Sequence, residues 1–310
     1  MKIVIIGSGK IVENIINHLT EDIEIFGIYS RNLMTASFLA TKCGAKVYKA
    51  LNEIKLDKKL FDFVYVATPH TSHYEYAIYF LTHEINVLVE KPIVTKVNEI
   101  EDLIKLKSRH NSFISEAMWS FICDPLTEVS NFLKEKKVKT ADLSFSIFKP
   151  HFNKKDRLFI PELKGCALFD IGIYLITMSY MFFGVPLSTS ISSKVKKNID
   201  VIDTITLTYS DFKVNIYTSF YSFKDSIFIE GNDFKIEANN RAHAPNKIKI
   251  TYQDKVSYIT GETSYNEEFR HIYKDIEAGL KESSRISLKD NLEIIKIMED
   301  LDNKINRNEE

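Results

Sequence analysis

The stretch MKIVIIGSGKIVENI, residues 1–15, decides how the chain is read. Ile3–Ile6 is an unbroken run of β-branched apolar residues, the signature of a strand covered on both faces. Gly7-Ser8-Gly9 ends that run, and Lys10–Leu19 then places Ile11, Ile15, Ile16 and Leu19 at helical spacing. A strand, a glycine turn and a helix together form the context of a dinucleotide-binding turn. Gly7 permits the tight turn, and Gly9 allows a pyrophosphate to approach the backbone at the positive end of the helix. Ser8, Lys10 and Ile11 complete the segment expected to hold it. The third fingerprint position is Val12, where glycine or alanine is usual, so an ordinary glycine-rich turn stands as the alternative.

Outward from this turn the first 118 residues alternate strand and helix. Strands are expected at Lys2–Ile6, Ile23–Tyr29, Phe63–Ala67, Asn86–Val89 and Ser112–Ser115. Helices are expected at Lys10–Leu19, Leu33–Lys42, Ser72–Leu81 and Val97–Lys107. Such alternation with short connections predicts a parallel, doubly wound α/β sheet of the Rossmann type. From residue 119 the pattern changes. A helix at Pro125–Glu135 and a strand at Thr140–Phe148 precede the polar segment KPHFNKKDR and an apolar helix from Cys166 to Phe183. Six alternating runs follow, at Thr204–Tyr209, Lys213–Ser219, Ser226–Glu230, Phe234–Ala238, Lys247–Tyr252 and Val256–Thr260. They predict an α+β domain with a largely antiparallel sheet. Helices at Asn266–Leu280 and Leu288–Ile305 close the chain, and the tail NRNEE is expected to fray. The expected domains are therefore 1–118, which binds the cofactor, and 119–310, for substrate and oligomerisation, with the closing helices able to pack on the first.

Composition narrows the function classes. The chain has 310 residues, a net charge of -1, 45% hydrophobic and 27% charged residues, ordinary values for a globular protein. The balance of charge offers no footprint for nucleic acid or an anionic membrane. Cys43, Cys123 and Cys166 are odd in number and far apart, so neither a disulfide framework nor a zinc site is expected, and a reducing cytoplasm fits. MKIVIIG is too short for a secretory signal. The run Ala167–Pro186 is long and apolar, but Asp170 interrupts it, and an aspartate in a spanning helix is costly. A buried core helix is expected there.

In an open parallel sheet the carboxyl ends of the strands line the ligand crevice. Those ends carry Gly7, Gly9, Thr68, Pro69, His70, His73 and Lys91. At the end of the second strand stands Ile28-Tyr29-Ser30-Arg31 with no carboxylate. A ribose 2′-hydroxyl is usually met there by Asp or Glu, whereas Arg31 and Ser30 can bond a phosphate. NADP(H) is therefore expected over NAD(H), with a surface arginine at a helix start as the alternative. In NVLVEKP, residues 86–92, Pro92 restricts Lys91 to extended geometry at the sheet's edge. Its ammonium could hold a substrate hydroxyl and lower the pKa of a neighbouring acid; a solvated surface lysine is the alternative. Asp170 and Tyr174 lie four apart in the apolar helix, one turn from each other. A buried aspartate needs a partner, which a lysine in the crevice would supply, and Tyr174 could then exchange a proton. A core tyrosine with a capping aspartate explains the same spacing. His73 suits a contact with nicotinamide or substrate, and His70 a surface position. No metal site is expected from either.

The Gly-x-Gly turn, Ser-Arg after the second strand, ATPHTSH, VLVEKP, SEAMW and PELKGCALFDIGIY together resemble the glucose–fructose oxidoreductase/inositol dehydrogenase (Gfo/Idh/MocA) family. Tyr174, EAMW and RLFIPELKGCALFDIGIY look like its dihydrodiol dehydrogenase branch. The resemblance implies a nicotinamide-dependent oxidoreductase acting on a sugar, cyclitol or diol, with Lys91, Asp170 and Tyr174 as catalytic residues. It also implies that Glu90 supports the nicotinamide site, that Lys91–Pro92 is a cis bond, and that the chain forms a homo-oligomer, dimer or tetramer. Three positions depart from the family pattern: Val12, Phe121 where an arginine is common, and Lys164-Gly165-Cys166 where three glycines are usual. These departures motivate an alternative, a non-catalytic NADP(H)-binding sensor or partner subunit.

Overall fold

A computed structural model describes residues 1–151, 153 and 156–307. In chain order the first 117 residues form β1 (Lys2–Ile6), α1 (Lys10–His18), β2 (Glu24–Tyr29), α2 (Leu33–Cys43), β3 (Lys46–Tyr48), α3 (Leu51–Leu56), β4 (Phe63–Val66), α4 (His73–Thr82), β5 (Val87–Glu90), α5 (Val97–Arg109) and β6 (Ile114–Ala117). There follow α6 (Trp119–Ile122), α7 (Asp124–Leu133), β7 (Val138–Ser146), α8 (Ile173–Phe183), β8 (Ser188–Lys196), β9 (Ile199–Thr208), β10 (Lys213–Ser219), β11 (Ser226–Gly231), β12 (Phe234–Asn239), β13 (Lys247–Tyr252) and β14 (Lys255–Thr260). The chain closes with α9 (Tyr265–Glu277) and α10 (Leu288–Lys304).

Two compact units result. One comprises Met1–Ala117 and Ser264–Leu292, the other Met118–Thr263 and Glu293–Glu310, so the boundary falls inside α10. In the first unit six strands run in the order β3-β2-β1-β4-β5-β6, and every neighbouring pair is parallel. The order reverses between β1 and β4, the position at which open α/β sheets bind ligands. β4 and β5 are buried along their whole length, and β1 from Ile3 onward, which explains their continuous apolar sequences. β3 and α3 add a short strand and helix that the sequence reading passed over. From the closing region, Phe269 of α9 packs its ring against Phe63 and Tyr65 of β4, at centroid distances of 6.0 and 5.2 Å.

The second unit carries an eight-stranded sheet, β14-β13-β12-β11-β7-β10-β9-β8. Only β7 and β10 run parallel; the other neighbours are antiparallel. β8 has no apolar face, since its residues alternate between exposed and half-buried, and it escaped the sequence pattern for that reason. β9 begins at Ile199, five residues before the alternation became legible. The expected helix Cys166–Phe183 is a composite. Leu168–Gly172 forms a π-helical turn, from which α8 continues. The stretch Pro161–Phe183 is apolar and long enough to cross a membrane, yet 72% of its most apolar window is buried within the protein. Residues 308–310 of the tail expected to fray lie outside the described residues. Arg307 is bound: its guanidinium pairs with Asp200 at 3.2 Å and also with Asp302.

Candidate active site

The glycine turn after β1 is built for close approach. Gly7 has φ +127, and a Cβ there would lie 2.3 Å from the Ala67 carbonyl oxygen. Only glycine meets both conditions. Gly9 caps α1 with no side-chain hydrogen bond to the first-turn amides, and a Cβ on Gly9 would meet no atom within 4 Å. The first-turn amides of a helix N-terminus, beside open space, fit a pyrophosphate. Lys10 lies exposed and Ile11 half-buried on the opening turn of α1, while Val12 is fully buried. Ser8 Oγ lies 2.8 Å from Ser30 Oγ and 2.7 Å from Thr35 Oγ1. Three hydroxyls therefore meet at the ends of β1 and β2, and the exposed Arg31 follows Ser30 directly in the chain. Thr35 is the member that sequence reading missed; it lies on the first turn of α2, which Asn32 caps.

The turn after β5 is held by hydrogen bonds from several residues. Lys91–Pro92 is a cis bond, and Lys91 is only 8% exposed. Backbone groups on both sides of that bond are held. The Lys91 N–H donates to Glu90 Oε2 at 3.1 Å, and the Ile93 N–H donates to Glu116 Oε1 at 2.9 Å. His73, with no exposed surface, places Nδ1 2.8 Å from the Pro92 carbonyl and Nε2 2.9 Å from the Thr68 carbonyl. Each ring nitrogen therefore faces a carbonyl oxygen. His73 thus ties the Thr68-Pro69 turn to the lysine turn. His70 is buried beside it at a ring distance of 5.8 Å, not at the surface.

Behind this turn lies a cluster of carboxyl groups that no spacing rule announces. The Tyr65 hydroxyl donates to Glu90 Oε1. Asn291 Nδ2 donates to Glu116 Oε2 at 2.7 Å. Burial raises the Glu116 carboxyl to about 7, against the pull of its two donors and the nearby Lys91. Glu268 of α9 is fully buried, and neither of its oxygens has a hydrogen-bond partner among the described residues. Burial, with Glu90 and Glu116 nearby, holds its carboxyl well above the usual range, which favours its neutral form.

In the second unit Asp170 and Tyr174 are both buried, at 7% and 9% exposure. The intervening π-helical turn widens the helix, so their four-residue spacing is not one α-helical turn. Asp170 Oδ1 accepts from Arg157 Nη2 at 2.7 Å. The sequence reading expected a crevice lysine for this aspartate and overlooked Arg157, which ends the charged run KPHFNKKDR. Gly165 makes the local arrangement possible: a Cβ there would lie 2.0 Å from the Arg157 carbonyl oxygen. Lys164 takes the left-handed conformation at φ 52, where a glycine would be unstrained. The Tyr174 ring contacts Phe145 at 5.8 Å and His243 at 5.5 Å, and His243 stacks on Phe145 at 4.0 Å. Phe121 is a core residue, packed edge-on to Phe182.

Residues 1–117 match the model of an oxidoreductase family with an NAD-binding Rossmann fold, Gfo/Idh/MocA. The chain is 26% identical over 267 residues to scyllo-inositol 2-dehydrogenase (NADP(+)) of Bacillus subtilis, covering 82% of this chain and 80% of that protein. It is 25% identical over 296 residues to trans-1,2-dihydrobenzene-1,2-diol dehydrogenase of Danio rerio, covering 90% and 88%. Its fold is that of KijD10, a 3-ketoreductase from Actinomadura kijaniata solved with NADP and TDP-benzene, at a TM-score of 0.81 and 19% identity over 97% and 96% of the two chains. These likenesses identify an NAD(P)-dependent oxidoreductase.

Proposed function

We propose that this chain belongs to the Gfo/Idh/MocA oxidoreductase family, on its dihydrodiol dehydrogenase-like side, and interconverts a secondary alcohol and a carbonyl on a sugar, cyclitol or diol with NADP(H) in preference to NAD(H). The observation that carries the reading is Lys91, nearly buried at the carboxyl end of β5 and fixed through the backbone on both sides of its cis bond. The first-turn amides of α1, with Gly7, Ser8, Gly9, Lys10 and Ile11, would hold the pyrophosphate. Ser30 and Arg31, joined by Thr35, would hold a 2′-phosphate through charge-assisted bonds. Thr68, Pro69, His73, Glu90 and Lys91 would shape the nicotinamide end. When bound, the cofactor supplies or accepts the hydride at C4 of its nicotinamide.

The protein's share is geometry and proton handling. In the oxidative direction the Tyr174 oxygen accepts the proton of the substrate hydroxyl. The Lys91 ammonium orients that hydroxyl and stabilises the negative charge that develops on its oxygen. Asp170, fixed by Arg157, orients the substrate. A cytoplasmic setting, which three free cysteines fit, and a homo-oligomer, which the family resemblance suggests, are part of the same reading. Fluorescence titration with NADPH and NADH tests the cofactor half of the proposal. Tighter NADPH binding is expected, and equal affinity for both nucleotides would refute the preference.

A further inference from the structure

The lysine turn is gripped from behind by a residue distant in sequence. Glu116, at the end of β6 and 1% exposed, divides its carboxylate between the Ile93 amide and the Asn291 side chain. Ile93 is two residues beyond Lys91, and Pro92 between them has no N–H of its own. The Glu116–Ile93 bond is therefore the first amide anchor the backbone has after Lys91.

Resting on the assignment of Lys91 above, we infer that Glu116 is a positioning residue, whose ionised carboxylate locks the Lys91-Pro92-Ile93 turn and whose protonation loosens it. The geometry has a device for both states. As a carboxylate, Glu116 accepts from Ile93 and from Asn291 Nδ2. When it gains a proton on Oε2, that oxygen becomes a donor. Asn291 Oδ1 is buried without a hydrogen-bond partner among the described residues, so a turn of the Asn291 amide lets it accept that proton. The bond to Ile93 then passes from a charged to a neutral acceptor and weakens.

The charged and titratable groups around Glu116 come from several elements. Glu90 and Lys91 lie at the end of β5, and Glu268 lies on α9. Tyr65 of β4 binds Glu90, and Tyr265 of α9 lies near Glu90 and Glu268. His73 holds the other side of the turn through Pro92. Of these, Lys91 favours the carboxylate, while Glu90 and burial oppose it; the balance puts Glu116 at about 7. Activity should accordingly rise with pH as Glu116 ionises. Loss of a charge-assisted bond corresponds to about tenfold in turnover.

Two readouts test this. The first needs no turnover: the backbone amide resonances of Lys91 and Ile93 are followed by NMR against pH in the unliganded full chain. In the wild type both should titrate with Glu116. In Glu116→Gln, whose amide reproduces the protonated shape, that titration should vanish. Asn291→Ala removes one donor to the carboxylate, so the midpoint should move upward while the Ile93 bond is kept. The second readout is kcat against pH, expected to rise about tenfold in the wild type and to stay flat at the lower level in Glu116→Gln, with NADPH affinity unchanged. Amides that ignore pH, or a Gln variant that keeps the wild-type profile, would overturn the inference. Titrating amides in a protein that turns over nothing would uphold the lock and count against the oxidoreductase chemistry instead.

Discussion

Replacing Glu268 with Met removes a fully buried carboxyl whose two oxygens have no hydrogen-bond partner among the described residues and leaves a side chain of similar length. An unsatisfied buried polar group costs about 1–3 kcal/mol, so Glu268→Met should stabilise the fold by about that amount in mild acid. The gain should then grow with pH. Glu268 is held well above the ordinary carboxylate range by burial and by Glu90 and Glu116, so above that range the folded chain holds a proton that the unfolded chain has lost. Stability of the wild type falls as pH rises wherever the native state binds more protons. While Glu268 stays protonated, each pH unit costs about 1.4 kcal/mol. Methionine has no such loss. The assay is thermal unfolding of both proteins at about pH 5.5 and about pH 8, where 1 kcal/mol moves Tm by about 2–4 °C. A variant less stable than the wild type, or a gain equal at both pH values, would refute the reasoning. A natural chain that keeps so costly a group next to its lysine turn fits a trade of stability for function.

Other outcomes follow from separate parts of the structure. Arg31→Ala should weaken NADPH binding about 10- to 100-fold and leave NADH binding nearly unchanged; parallel losses in the two titrations would contradict the phosphate assignment. Gly7→Ala forces a Cβ to within 2.3 Å of the Ala67 carbonyl oxygen at φ +127. It should cost at least about 2–3 kcal/mol in urea unfolding, or displace the turn and abolish nucleotide binding; a variant normal in both would remove the case for that turn. Arg307→Ala leaves Asp200, a side chain with 0% exposure, without its guanidinium. A loss of about 2–4 kcal/mol is expected from broken buried pairs of this kind, and a change below about 0.5 kcal/mol would show that the pair contributes nothing measurable.

What was legible in the sequence followed from burial. Strands covered on both faces, such as Ile3–Ile6 and Phe63–Val66, read as continuous apolar runs because no polar residue can face solvent there. β8 was illegible because Ser188–Lys196 presents no apolar face. The site divides in the same way. Gly7, Ser30, Arg31 and Lys91 stand at strand ends or turns whose local motifs carry their meaning. Glu116, Glu268 and Asn291 come together only through the fold, with Glu116 and Asn291 175 residues apart. The sequence placed a helix at α9, yet a helix's apolar face does not say which sheet it will cover. Arg157 was hidden for another reason: it ends a run of charged residues that reads as a solvated loop, and only the fold brings its guanidinium to the buried Asp170.

The central claim is that Lys91 serves hydride transfer between NADP(H) and a secondary alcohol or its carbonyl. It is tested most directly by following NADPH absorbance while wild-type protein and Lys91→Met meet a panel of sugars, cyclitols, diols and dicarbonyls. The account predicts turnover by the wild type on at least one member, with kcat reduced by about a thousandfold or more in Lys91→Met and NADPH affinity close to normal. Full turnover by Lys91→Met, or failure of the wild-type protein to bind NADPH, would contradict it.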